Sequence, residues 1–253
     1  DMNYDFYGIG GDGSDLSVEI EQESDMFLAE ALRRVAPNFY LGLKGVYSNT
    51  TVAPRFPGDL LPQEISPPSL AVDYTLSALT PRLQYDTRDY EFNPRAGWLI
   101  DGEAAISRDA MGSDRDYERY EFSVNHYRTI NDRATWASRL HMKHAAGAAP
   151  YFLYPAFGQG ADLRGYQTGT YRDRFMIALQ AEYRHRFTPR WGAVAFAGIG
   201  SVAPDFADWG KTLPSAGLGL RWVVAPQNDI SLRFDVARGR DDTIWYVGVG
   251  EAF

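Results

Sequence analysis

Strict alternation of apolar and polar residues is the feature that most restricts how this chain can fold. In the segment 175–187 the odd positions are apolar or aromatic except for one histidine, and the polar even positions include Gln180, Glu182, Arg184 and Arg186. The same alternation recurs at 16–21, 119–125 and 230–236. A period of two residues gives a β-strand with two different faces. Since no segment has a persuasive helical period, the sequence predicts an all-β fold.

Short and long connections alternate between the predicted strands. The short ones, each with turn-forming residues, are 36–38, 131–132, 188–190 and 226–229. The long polar or proline-rich ones are 52–68, 145–171 and 204–214. Transmembrane β-barrels combine short periplasmic turns with longer outer loops. The order of connections therefore favours a transmembrane, antiparallel, up-and-down β-barrel.

Twelve strands are predicted, an even number. They are 3–9, 16–35, 39–49, 70–88, 97–110, 117–129, 134–145, 171–187, 191–203, 213–224, 230–238 and 244–253. Several exceed the 9 to 11 residues that cross a bilayer, so they should project beyond it. The alternative is a sixteen-stranded barrel whose N-terminal strands are missing from this sequence.

Polarity separates a membrane barrel from a soluble β-sandwich or lipocalin-like barrel, which also have alternating strands. The polar face of the predicted strands carries many charges: Glu19, Glu21, Glu121, Glu182, Arg184, Arg186, Arg233 and Asp235. A soluble barrel turns its apolar face to the core, whereas a membrane barrel turns it to lipid and its polar face to a wet lumen. The charged face therefore favours the membrane barrel.

Composition excludes several classes of protein. No apolar run reaches the ~18 to 20 residues of a membrane helix. The net charge is −8 and the 25 basic residues are scattered, so a nucleic-acid partner is not expected. The chain has no cysteine, hence no disulfide, thiolate nucleophile or cysteine metal site.

An outer-membrane hydrolase of lipids or peptides is the enzymatic alternative, and the histidines do not support it. They are His126, His141, His144 and His185, and no G-x-S-x-G motif accompanies them. His141 and His144 lie three apart on a strand, hence on opposite faces, which disfavours a shared metal. We expect no catalytic residues, no metal site and no cofactor.

Several segments together resemble one family of barrels. In chain order they are "YDFYGIG" at 4–10, "DTRDYEFNPRAGW" at 86–98, "LRGY" at 163–166, "YRD" at 171–173, "SAGLGLRW" at 215–222 and "ISLRFDVA" at 230–237. With the aromatic end at Phe253, this series resembles the BamA/TamA/FhaC superfamily, also called the bacterial surface antigen family. The resemblance covers most of the chain. It implies a single domain over 1–253 in the bacterial outer membrane, in a short member without visible POTRA modules.

The resemblance also implies roles for particular residues. The loop at 146–170 would fold into the lumen, where Arg164, Gly165 and Tyr166 would lock it. Because an arginine guanidinium can donate two hydrogen bonds to carboxylates, we expect Arg164 to have an acidic partner on the barrel wall. Residues 193–203 contain no acid, so Glu182 and Asp235 are the predicted partners. In the last strand, Tyr246 and Phe253 would form the signal that the barrel-assembly machinery reads.

Function is implied at the level of the family. Its members insert or fold barrel proteins, or translocate polypeptide or lipid, without a cofactor. The working part would be the seam between the first and last strands, and Gly248 and Gly250 would weaken the last strand. The implied partners are outer-membrane lipids, the barrel-assembly machinery and a protein or lipid client, and the seam is a candidate surface for a homodimer. The alternative function is a passive outer-membrane pore.

Overall fold

The computed structural model describes residues 2–11, 17–55, 71–158, 162–225 and 230–253, and they form one antiparallel sheet. Its strands are β1 (Met2–Phe6), β2 (Val18–Ala36), β3 (Phe39–Arg55), β4 (Val72–Asp86), β5 (Gly97–Ser107), β6 (Tyr117–Asn131), β7 (Ala134–Gly147), β8 (Phe175–Arg186), β9 (Trp191–Ala203), β10 (Leu213–Ala225), β11 (Ile230–Arg238) and β12 (Thr243–Val249). Each strand pairs with its sequence neighbours in the order β1 to β12. The prediction of twelve antiparallel strands is confirmed.

Three predicted strand ends are wrong by four residues or more. β3 continues to Arg55 rather than ending at 49, because its pairing with β2 extends to Arg55. β8 begins at Phe175 rather than at 171, because Arg172 instead forms isolated bridges with Gly10 and Ala156. β12 ends at Val249 rather than at 253, because the chain turns at Gly250. The turn at 226–229 and most of the connection at 52–68 lie outside the described residues.

The two faces of the sheet differ as the alternation requires. Glu121, Glu182, Arg184, Arg233 and Asp235 lie on the inner face, where they contact or line the interior. The outer face is apolar, as at Trp245, Val247 and Val249 on β12. This segregation is what a lipid-facing surface around a polar lumen requires.

The predicted orientation of Glu19 and Glu21 on β2 is wrong. Ile20 between them is only 6% exposed and faces inward, whereas both glutamates are exposed on the outer face. Ile20 packs with Val52 and Tyr151 around an interior apolar cavity. At this end of β2 the apolar residues therefore cover the connection inside the sheet, and the carboxylates remain in water.

The connection between β7 and β8 fills much of the interior. A buried apolar cluster joins it to β8, β9 and β10, and its members are Phe157, Leu163, Tyr166, Tyr171, Met176, Ala178, Val202 and Leu213. Phe6 of β1 contacts Tyr151 of this connection, with ring centroids 4.8 Å apart. On the other side, Tyr246 of β12 contacts Gly165. Since both edge strands touch the same connection, the sheet curls around it.

The two edges of the sheet are not hydrogen-bonded to each other. Within the described parts of β1 and β12 there is no ladder between them. The seam between β1 and β12 is therefore the one break in the strand-to-strand pairing of the described sheet.

The described residues contain no helix that is long and apolar enough to cross a membrane.

Candidate functional site

Glycines on β9 make room for the connection between β7 and β8, which we call the inner connection. Gly198 and Gly200 lie on the lumen face, and a Cβ atom at these positions would lie 2.8 Å from Leu163 Cδ1 and 2.6 Å from Phe157 Cζ, respectively. Contacts that short do not occur between real side chains. The absence of side chains at these two positions therefore allows the connection to pack against β9.

Arg164 sits at the tip of this connection and is 1% exposed. Its Nη1 donates to Asp235 Oδ2 of β11 at 2.7 Å, and its Nη2 donates to Glu182 Oε1 of β8. The guanidinium carbon lies 3.4 Å from the ring centroid of Phe196 on β9. A buried charge is tolerated only when it is paired, and here one cation meets both of its predicted acidic partners. The structure thus brings the loop arginine and both acids together.

Gly165 and Tyr166 continue the contact with the wall. Gly165 has φ +98°, and a Cβ there would lie 2.5 Å from the backbone nitrogen of Gly239, so only glycine fits. Its N–H donates to the hydroxyl of Tyr246 at 2.8 Å. The hydroxyl of Tyr166 donates to the carbonyl of Pro214. Tyr246, predicted as part of an assembly signal, therefore faces the lumen and holds the loop; the signal itself remains a prediction.

Three further residues extend the Arg164 contacts into a closed charged ring, which we define as Arg164, Glu182, Arg184, Glu251, Arg221 and Asp235. Arg184 bonds Glu182 at 2.8 Å and lies 3.8 Å from Glu251. Arg221 bonds Glu251 at 2.7 Å and also bonds Asp235. Positive and negative groups alternate around the ring. Each carboxylate therefore has two arginines beside it.

Sequence reasoning missed Arg184, Arg221 and Glu251 as members of this ring. One signal was available, since Arg184 follows Glu182 by two residues and so shares its face. The Arg221–Asp235 pair also needs Gly219, because a Cβ there would lie 2.0 Å from Asp235 Oδ1, but only the structure shows this contact. Glu251 had no such signal, because it was assigned to a continuing strand.

Residues 250–253 leave the wall and lie against the inner surface, and we call them the C-terminal segment. The N–H of Gly250 donates to Ser231 at 2.7 Å, and that of Glu251 donates to Phe92 at 3.3 Å. The backbone oxygen of Phe253 accepts from Arg184 at 2.9 Å, and the Phe253 ring lies below Arg139. Phe253 is therefore not part of a lipid-facing strand, which corrects its predicted placement.

A second cluster anchors the inner connection on the opposite wall. His141 of β7 is 2% exposed; its Nε2 lies 2.8 Å from Glu121 of β6 and its Nδ1 lies 2.8 Å from Asp162 of the connection. Lys143 lies 3.4 Å from the same Asp162 carboxylate. His144 faces the other way, near Tyr120 and Phe175. The four histidines share no metal site, and the described residues include no group of acidic and histidine side chains arranged to hold a metal.

The inner connection also joins the two sides of the seam. On the β1 side, Gln167 donates to the Tyr7 hydroxyl at 2.9 Å, and the carbonyl of Arg172 accepts from Gly10 at 2.7 Å. On the β12 side, the Tyr171 hydroxyl donates to Asp241 at 3.0 Å. Burial, together with Asp241, raises the pKa of Tyr171 to about 12, so this hydroxyl stays protonated as a donor. The connection thus bridges two edges that do not pair directly.

Comparison with known proteins gives one family and one fold. Residues 4–253 match the model of the Omp85 superfamily domain. Among solved structures, BamA from Haemophilus ducreyi lacking POTRA domains 1-3 aligns with a TM-score of 0.70 and 15% identity, over 98% of this chain and 57% of that one. A KdgM porin in complex with disordered oligogalacturonate aligns with a TM-score of 0.39 and 11% identity, over 92% of this chain and 95% of that one. No curated protein matches the sequence.

Proposed function

The protein belongs to the Omp85 superfamily and is a β-barrel of the bacterial outer membrane, and we propose that it assists the insertion or translocation of protein or lipid there. Under this proposal it works without catalysing a chemical reaction and meets the barrel-assembly machinery during its own biogenesis. Its outer face lies among outer-membrane lipids.

The observation that carries the proposal is that the last strand is short and unpaired along one edge. β12 has seven residues, and the next four turn away into the lumen instead of extending it. Its described residues have a strand partner only in β11, so the backbone groups on the other edge are not used in a ladder. Unpaired groups at a sheet edge are a template for another strand. A client strand can therefore add to this edge.

The inner connection supports the same proposal over a passive pore. Leu163, Arg164 and Tyr166 are 1–2% exposed, so the tip of the connection is packed against the wall rather than projecting into solvent. A filled lumen obstructs free diffusion of ions through the barrel. Transport along the seam does not need an open lumen.

An insertion assay tests the proposal. A small outer-membrane barrel protein, unfolded in urea, is diluted into phosphatidylcholine vesicles that contain this protein, and folding is followed by its heat-modifiable mobility in gels. We expect folding at least several-fold faster than in vesicles that contain an unrelated barrel of similar size. Equal rates with correctly folded protein would contradict the insertion role. Large, steady ion conductance in the same vesicles would support the pore instead.

A further inference from the structure

Arginines are concentrated in a cavity at the short-turn end of the barrel. The cavity has a volume of about 40 Å³ and is lined by Arg95, Arg133, Arg184, Arg186 and Arg221. The acidic side chains in its lining are Asp132 and Glu251. Five arginines and two acidic residues thus line the cavity. Because short turns face the periplasm in outer-membrane barrels, this cavity opens toward the periplasm.

Two of these arginines are buried, and each has a guanidinium nitrogen whose hydrogen-bond donors are not used. The side chains of Arg184 and Arg221 are 7% and 5% exposed. Among the described residues, Nη1 of Arg184 and Nη2 of Arg221 have no hydrogen-bond partner. A buried guanidinium N–H without an acceptor costs free energy, which a bound acceptor would recover. Buried donors of this kind point to a ligand rich in acceptor oxygens.

We propose that this arginine cavity binds the phosphate group of a ligand. Planar guanidinium forks match the oxygens of phosphate. Arg184 and Arg221 are already paired with Glu182, Asp235 and Glu251, so the further positive charge of the lining includes Arg95 and Arg133. A volume of about 40 Å³ holds roughly three water-sized centres, which is the scale of one tetrahedral oxyanion. The Glu251 carboxylate already lies against one side of the cavity, through Arg221 at 2.7 Å. The phosphate therefore occupies the remaining space near Arg133 and Arg184.

The site lies next to the C-terminal segment, which shares its arginines. Arg184 holds the backbone oxygen of Phe253 and Arg221 holds Glu251. A phosphate that draws on the same guanidinium groups competes with these bonds. Occupation of the cavity therefore loosens the C-terminal segment. The phosphate site does not depend on the insertion role, and either proposal can fail without the other.

Equilibrium binding of radiolabelled inorganic phosphate tests the site. The full chain is reconstituted in phosphatidylcholine nanodiscs at constant ionic strength, set with chloride. Arg133→Gln is the main variant, because Arg133 lines the cavity but is not in the charged ring. Arg133→Lys keeps the charge without the fork. Arg190→Gln is the control, because Arg190 lies in a neighbouring turn and does not line the cavity.

We expect saturable phosphate binding to the wild type, about tenfold weaker in Arg133→Gln, intermediate in Arg133→Lys and unchanged in Arg190→Gln, since tenfold corresponds to one charge-assisted hydrogen bond. Nanodiscs that also contain phosphatidylglycerol identify the source of the phosphate. Loss of phosphate binding there, in the wild type and in Arg190→Gln alike, assigns the site to a lipid headgroup; unchanged binding assigns it to a soluble phosphate compound. Absence of saturable binding, or equal binding in all four proteins, overturns the proposal.

Discussion

At the scale of single residues, the geometry around Arg164 indicates that even lysine is a poor replacement. The guanidinium reaches Glu182 and Asp235 on two different strands and stacks on Phe196 at the same time. A lysine ammonium is a compact point charge and cannot repeat this arrangement. The residue therefore defines the docked position of the loop by shape as well as by charge.

Replacing Arg164 with alanine is predicted to open the lumen. Breaking a buried ion pair costs about 3 to 5 kcal/mol, and here the loss falls on the docking of the inner connection. In planar bilayers we expect a nearly silent wild type, a clearly conducting Arg164→Ala variant and an intermediate Arg164→Lys variant. Arg174→Ala is the matched control, since Arg174 lies in the same connection but its guanidinium donates to the carbonyl of Gly147 and lies over the ring of Tyr154, outside the charged ring. Equal conductance in the wild type and in Arg164→Ala would refute the role of Arg164 in holding the loop.

Enlarging Gly200 is predicted to displace the same connection without changing any charge. A leucine there would overlap the Phe157 ring, and overpacking of this kind costs about 1 to 3 kcal/mol. We expect Gly200→Leu to raise both conductance and proteolytic cleavage within 148–170. Gly45→Leu serves as the control, because a Cβ at Gly45 has no atom within 4 Å. Equal cleavage in the two variants would rule out packing at β9 as a determinant of loop docking.

At the scale of elements, the charged ring links the inner connection to the C-terminal segment. Arg184 and Arg221 each bond one acid of the lock and one group of the segment. If Arg164 is removed, Glu182 and Asp235 compete more strongly for these two arginines. The segment then loses part of its hold, although Arg164 does not touch it.

This coupling predicts a change in accessibility at Ala252. Because the chain has no cysteine, Ala252→Cys introduces a single thiol. We expect its reaction with a water-soluble maleimide to be several-fold faster in the Arg164→Ala and Arg221→Gln backgrounds than in the wild-type background. Arg190→Gln should leave the rate unchanged. An accelerated rate with Arg221→Gln but not with Arg164→Ala would mean that the ring does not transmit the effect.

At the scale of the whole molecule, the inner connection substitutes for pairing at the seam. β1 and β12 are joined through Gln167, Tyr171 and Arg172 rather than by a ladder of their own. Arg172 is 4% exposed and lies over the rings of Tyr4 and Phe6, so it ties β1 in particular. Under the proposed function, opening the seam requires release of these contacts.

Distances across the seam are therefore predicted to depend on Arg172. Spin labels at Asn3→Cys and Val247→Cys lie on the outer faces of β1 and β12, and their separation can be measured by pulsed electron resonance. We expect a single narrow distribution in the wild type and a broader, longer one in Arg172→Ala. Arg174→Ala should resemble the wild type. If Arg172→Ala leaves the distribution narrow, the connection is not what holds the seam.

The sequence by itself determined the all-β class, the twelve strands, their antiparallel order and the family. The class, the strands and their order follow from alternation and turn chemistry, which are local properties of the sequence. The family follows from the resemblance of several segments, such as "LRGY" at 163–166, to its members. It also indicated Glu182 and Asp235 as partners of Arg164, because both lie on the polar face of their strands. Local patterns were enough to predict a residue's surroundings wherever these depend only on which face of the sheet the residue occupies.

Only the tertiary structure decided where the chain departs from this alternation. Glu19 and Glu21 face outward because the inner connection supplies apolar partners to Ile20 on the inside. Phe253 lies in the lumen, where it contacts Arg184 and Arg139 from strands far away in sequence. The charged ring likewise joins residues from three strands, one loop and the C-terminal segment. Such contacts depend on how the sheet curls around the inner connection and the C-terminal segment, and the local alternation of residues carries no information about that.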